Sequence, residues 1–220
     1  MTPIQIFISQ SALGAWILAV ALAAPVGWIS ARLARRFAGA TFAPALPLII
    51  ACMAVAASGA AFTPHGDLIV TLALGWTLAL LGCIDVLALR LPDALTLPLL
   101  VAGLLLGPLV LATPFAAHVI GAAAGYGVIA LLGCAFARLR GREGIGLGDA
   151  KLLACAGAWL GWRALPDLML IAAAGGLAWV AAATLGRGKA ALTAPIPFGA
   201  PLSGAFWILW LLAIHGDPGY

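Results

Sequence analysis

The chain has 220 residues, of which 65% are hydrophobic and only 8% charged, and its mean hydropathy is +1.16. A soluble domain carries roughly 25% charged residues, so there is too little polar material here to cover a water-facing surface. Disordered chains fail in the opposite direction, being poor in apolar residues. The composition therefore specifies an all-α polytopic membrane protein. With about 20 residues per span, the length accommodates as many as about eight spans joined by short loops.

The net charge of +4 does not point to nucleic acid in such a chain; it reflects Lys and Arg retained in cytoplasmic loops. Cys52, Cys83, Cys134 and Cys155 stand singly in apolar segments, with no C-x-x-C pair and no ligand spacing to His65, His118 or His215. They read as small packing residues, not as a zinc site or a disulfide framework. The first apolar stretch has no basic region before it, so a cleaved signal peptide is not expected.

In chain order, the apolar runs bounded by charge, Gly and Pro predict spans at about 13–30, 44–62, 68–89, 95–112 and 115–136. A shorter sixth span starts near 145 or 152 and ends at 162, and the last two cover about 168–185 and 198–214. Ten of the 11 basic residues then fall in loops on one side, leaving Arg163 on the other. The positive-inside bias makes that first side cytoplasmic and puts both termini outside. No internal repeat or second domain is evident, so residues 1–220 read as one membrane domain. Small-xxx-small pairs at Gly103–Gly107 and Gly121–Gly125 predict close helix packing. Pro25, Pro98 and Pro108 are expected to kink their helices, with neighbours satisfying the freed carbonyls.

Most carboxylates sit where loops are expected: Asp67, Asp167 and Asp217 outside, Asp93 and Glu143 inside. Two do not. Asp85 lies within the apolar run 78–89, about one turn from its cytoplasmic end. Asp149 precedes the stretch 152–162, which at 1.5 Å per residue is too short for a hydrocarbon core of about 30 Å. The sixth span must begin earlier, drawing Asp149 and Lys151 to the membrane boundary. An ionisable group in a span is costly and marks a functional site. Both aspartates belong at the same depth on different helices, and two carboxylates sharing one proton supply a base for water and an acid for a leaving amine. The alternative is that each caps a helix or pairs with Arg90 or Lys151. Gly144, Gly146 and Gly148, just before Asp149, permit close approach of another chain; a packing role is open, whereas a phosphate loop would need a preceding strand.

These residues resemble a known family. Ile84-Asp85 with Leu91-Pro92-Asp93-Ala94-Leu95-Thr96-Leu97-Pro98 is similar to the first signature of type IV prepilin peptidases. Gly146-Leu147-Gly148-Asp149-Ala150-Lys151-Leu152-Leu153-Ala154, leading to Gly157-Ala158-Trp159-Leu160-Gly161, resembles the second, and Pro197-Phe198-Gly199 is also similar. The resemblance covers about 68–212, a prepilin-peptidase-like core. It implies a membrane aspartic endopeptidase that removes the basic leader of prepilins or pseudopilins at the cytoplasmic face of the bacterial inner membrane, with no metal or organic cofactor. Asp85 and Asp149 match the catalytic pair, and Gly146, Gly148, Lys151, Pro92 and Asp93 match the supporting motifs. Asp93 with Pro92 is expected to orient the start of the next helix. Lys151 either acts on a nearby carboxylate or snorkels to the interface, and Arg90 reads as a positive-inside anchor.

One departure limits the resemblance. Bifunctional members carry a large cysteine-containing cytoplasmic loop after the first span, associated with N-methylation. The stretch 31–43 here is short and has no cysteine, so methyl transfer is not carried over. A presenilin-like protease is a rival reading, but its Pro-Ala-Leu element is missing after Asp149. A transporter or assembly subunit with proton-relay aspartates is another.

Overall fold

The computed structural model describes residues 3–38, 45–63, 66–140, 146–188 and 195–216, and within these segments the chain is almost entirely helical. Glu143, Gly144, Lys189, His65 and Asp217 lie outside the described residues. In chain order the helices are α1 (Pro3–Ala38), α2 (Ala45–Phe62), α3 (Leu68–Ala88), α4 (Asp93–Val110), α5 (Phe115–Arg140), α6 (Leu147–Leu160), α7 (Leu165–Arg187) and α8 (Gly199–Ile214), with a 3-10 turn at Trp162–Ala164 before α7. Among the described residues, five helical stretches, α2 to α5 and the turn-plus-α7 stretch Trp162–Gly186, are long and apolar enough to cross a membrane, and α8 is a shorter apolar helix. The protein is a multi-pass helical membrane protein. Large exposed side chains such as Ile69, Leu109, Leu131 and Leu170 are apolar, as helices solvated by hydrocarbon require.

Seven of the eight predicted spans lie within a few residues of a helix. α1 differs, extending about two turns or more past the predicted span at either end. Its apolar run stops at Arg32, Arg35 and Arg36, but backbone hydrogen bonding does not depend on hydropathy, so the helix carries these residues beyond the apolar segment. α1 also continues through Pro25, and α4 through Pro98 and Pro108.

The chain divides within α3 into two compact units, residues 1–80 and 81–220. In the first, Ala19 and Ala23 of α1 pack with Cys52 and Ala56 of α2 and with Leu68 and Leu72 of α3. The α1–α2 approach is tight at Gly27, where a Cβ would come within 2.6 Å of the Ile49 backbone. Trp76 closes the cluster by donating its indole N–H to the Cys52 carbonyl at 3.1 Å.

In the second unit α6 is the central helix. Apart from Lys151, every residue from Ala150 to Leu160 is buried, which explains a sequence apolar on all sides. Its 14 residues rise only about 21 Å; it is packed by α4, α5 and α8. Both predicted glycine stripes face it. Gly103 and Gly107 of α4 lie against Ala158 and Trp159, while Gly121 and Gly125 of α5 lie against Gly157 and Leu153. At the Gly121–Gly157 crossing a Cβ on either residue would overlap the other's backbone. Side chains then tie α6 to its neighbours: Trp159 donates to the Leu99 carbonyl at 2.9 Å, Cys155 to the Thr96 carbonyl at 3.2 Å, and Trp159 meets Trp210 edge-on at 5.2 Å.

The far end of α6 is finished by a residue the sequence did not single out. Gly161, at φ +80°, ends the helix, so the Ala158 carbonyl lacks its intrahelical donor. The fully buried His118 of α5 supplies one: its Nδ1 lies 2.9 Å from that oxygen, and Thr113 Oγ1 lies 2.6 Å from its Nε2. A carbonyl only accepts, so Nδ1 carries the hydrogen and Nε2 accepts from the Thr113 hydroxyl.

Candidate active site

Asp85 sits in the last turn of α3, 5% exposed. The helix stops just beyond it because Leu89 takes a left-handed conformation, φ +52°, its N–H still bonded to the Asp85 carbonyl at 2.8 Å. That turn, together with Arg90 and Pro92, reverses the chain into α4, with Pro92 as N-cap and Asp93 in the first turn, where a carboxylate suits the helix dipole. Asp85 itself meets the start of another helix. The Ala200 N–H at the beginning of α8 donates to Asp85 Oδ2 at 3.1 Å, and the Gly199 backbone also reaches the carboxylate. Gly199 lets the carboxylate come this close: a Cβ there would lie within 2.9 Å of the Asp85 carboxyl carbon and push the side chain aside.

Asp149 occupies the first turn of α6, after the N-cap Gly146. Leu91 joins the two sites. Its side chain packs within 3.3 Å of the Cβ position of Gly148, before Asp149, and within 3.2 Å of that of Gly199, beside Asp85. The two carboxylates are thereby brought within electrostatic reach of each other. Asp149 also lines a cavity of about 610 Å³ together with Gly146, Phe198 and residues of α5 and α7.

Lys151 does not pair with either of these aspartates in the structure. Its Nζ forms an ion pair with Asp93 Oδ1 at 2.5 Å, the two side chains being 32% and 57% exposed. The pair links the first turn of α4 to the first turn of α6 and so joins the segment following Asp85 to the helix carrying Asp149. Arg90 is exposed. The residues that sequence reasoning singled out thus converge at one end of the second unit: Asp85, Pro92, Asp93, Gly146, Gly148, Asp149 and Lys151. Sequence reasoning missed the Ala200 N–H, the Leu91 bridge and the α7 wall of the cavity. Among the described residues, no group of three or more His, Cys, Asp or Glu side chains is placed to hold a metal ion.

Comparison with known proteins shows which chains this one is similar to. Residues 72–181 match the model of the Type IV leader peptidase family. The chain is 43% identical over 169 residues to a prepilin leader peptidase/N-methyltransferase of Aeromonas salmonicida, covering 76% of this chain and 57% of the relative. It is 45% identical over 155 residues to the protein of that name from Burkholderia pseudomallei, covering 70% and 50%. The one from Dickeya chrysanthemi is 52% identical over 97 residues, 44% of this chain and 34% of the relative. The chain thus spans about half the length of the relatives it matches. No solved structure matches it. On the family match, which covers half of the chain and takes in both aspartates, the chain belongs to the Type IV leader peptidase family.

Proposed function

We propose that this chain is an aspartic endopeptidase that removes the leader from type IV prepilins or pseudopilins at the cytoplasmic face of the bacterial inner membrane. The peptidase core is residues 68–212, and both termini lie on the outer side. The observation that carries this reading is the approach of Asp85 and Asp149 from different helices in a chain of this family.

The proposed chemistry needs both carboxyl groups. The ionised one takes a proton from water as the water oxygen bonds to the scissile carbonyl carbon. The protonated one gives its proton to the amide nitrogen as the C–N bond breaks. The α8 N-terminus fixes Asp85 through its N–H groups, and Leu91 holds the α6 end beside it. Lys151 and Asp93 act as positioning residues. Gly146, which lines the cavity with Asp149, leaves room there for a substrate backbone, and Gly148 lets the Leu91 side chain approach. The methyl-transfer half of the relatives' name is not assigned to this chain, because α1 ends at Ala38 and α2 begins at Ala45, leaving no room between them for a methyl-donor domain.

The test is co-expression with a type IV prepilin, comparing wild type with Asp85→Ala, Asp149→Ala and the double variant. Each single variant is expected to accumulate in the membrane and to leave the leader attached. The double variant is expected to lose no more than either single one, as residues acting as one unit do. Normal processing by either single variant refutes the mechanism. Ion flux without cleavage would favour a transporter.

A further inference from the structure

The cavity at Asp149 is longer than the reacting groups need. Its α7 wall consists of Met169, Ala173, Gly176, Leu177 and Val180. These positions follow one another at helical spacing along a single face of α7, over about 16 Å of helix axis at 1.5 Å per residue. Ile129 and Leu132 of α5 form the opposite wall. Among the described residues that line it, Asp149 alone is ionisable. The middle of the α7 wall is hollowed by small residues, Ala173 and Gly176, and Gly176 has the Phe198 ring at 3.6 Å from its Cβ position. Leu177 and Leu132, on opposite walls, are 72% and 51% exposed, so the cavity is open along its side.

We infer that this groove between α5 and α7 seats an apolar helical segment of the substrate, continuous with the peptide bond presented to Asp149. The inference rests on the peptidase reading. A pocket for a single side chain would not need a wall three turns long. An apolar helix laid against small and aliphatic residues at i, i+4, i+7 and i+11 does. The continuity of the groove with Asp149 is what selects the substrate over an acyl chain or a second copy of the protein as its occupant. Ala173 is then the specificity-determining position: it is exposed in the groove, so a large side chain there fills the seat without disturbing the core.

The experiment uses the full chain in phospholipid vesicles with two probes, an intact type IV prepilin and a short peptide spanning only its cleavage junction. Three enzymes are compared: wild type, Ala173→Phe, and Ala178→Phe, which alters an exposed α7 residue outside the groove. Ala173→Phe is expected to raise KM for the intact prepilin roughly tenfold with kcat little changed, the pattern of lost uniform binding. Ala178→Phe should behave as wild type on both probes, and Ala173→Phe should lose proportionally far more on the intact prepilin than on the junction peptide. A photo-crosslinking residue at 173, in an Asp149→Asn background, should capture the apolar segment of the prepilin. Normal cleavage of the prepilin by Ala173→Phe overturns the inference, as do equal losses on both probes, or crosslinks to phospholipid or a second copy alone. If wild type itself cleaves neither probe, the peptidase reading fails as well.

Discussion

Among the described residues, Asp85 is held by backbone rather than by a cation. Its carboxylate takes the Ala200 N–H at the start of α8, and the nearest lysine of the motifs, Lys151, is engaged by Asp93. This arrangement makes Lys151 and Asp93 interchangeable in sign. Lys151→Ala should lower leader cleavage while costing at most about 1 kcal/mol of stability, the range of an exposed ion pair. The charge-swapped double variant Asp93→Lys with Lys151→Asp should recover much of the lost cleavage, assayed on a prepilin in vesicles. A lysine acting directly on either aspartate could not be rescued by the swap, so failure to recover would remove the positioning role. Asp85 and Asp149 were legible in the sequence because a carboxylate in or beside an apolar run stands out by its cost. The partner of Lys151 was not, because it depends on the turn at 89–92. That turn rests on a leucine in a left-handed conformation, a geometry more often assigned to glycine.

At the scale of elements, α6 meets α5 through close backbone contacts. Gly121 of α5 and Gly157 of α6 touch through their backbones, so neither can retreat from an added methyl group. Gly157→Ala should therefore destabilise by about 1–3 kcal/mol, the usual cost of overpacking. Gly127→Ala, in the same α5 and with nothing within 4 Å of its Cβ position, should leave stability unchanged or raise it by up to about 1 kcal/mol through helix propensity. Thermal unfolding in detergent gives both values, and equal effects would show that the crossing is looser than its geometry. The glycine stripes were readable as packing signals, but their common partner was not, since spacing on one helix does not name the helix it meets. The early start of the sixth helix was readable for another reason: the apolar stretch alone is too short to cross. The closing of its far end by His118 and Thr113 was invisible, because it depends on where Gly161 stops the helix.

For the molecule as a whole, the two units carry different expectations. The family match falls at 72–181, and both proposed catalytic residues lie in the second unit. The first unit has only the residues between Ala38 and Ala45 as a connection between α1 and α2. A prepilin processed by this chain alone, with no separate methylase present, should carry an unmodified N-terminal amine when its mass is measured. A product heavier by one methyl group would show that methyl transfer needs far less chain than a folded domain. The shortness of α6 has a further consequence, which concerns the host membrane. Bilayer thickness acts on helices that lipid touches, which tilt or bend to meet it at a cost of fractions of a kcal/mol per Å. The 26 residues of α5 and 23 of α7 absorb that mismatch, whereas α6 is sheathed by its neighbours and keeps its own length. The depth of Asp149 is then set by protein packing and not by acyl-chain length, so one sequence can present its carboxylate at the same level in thin and thick membranes.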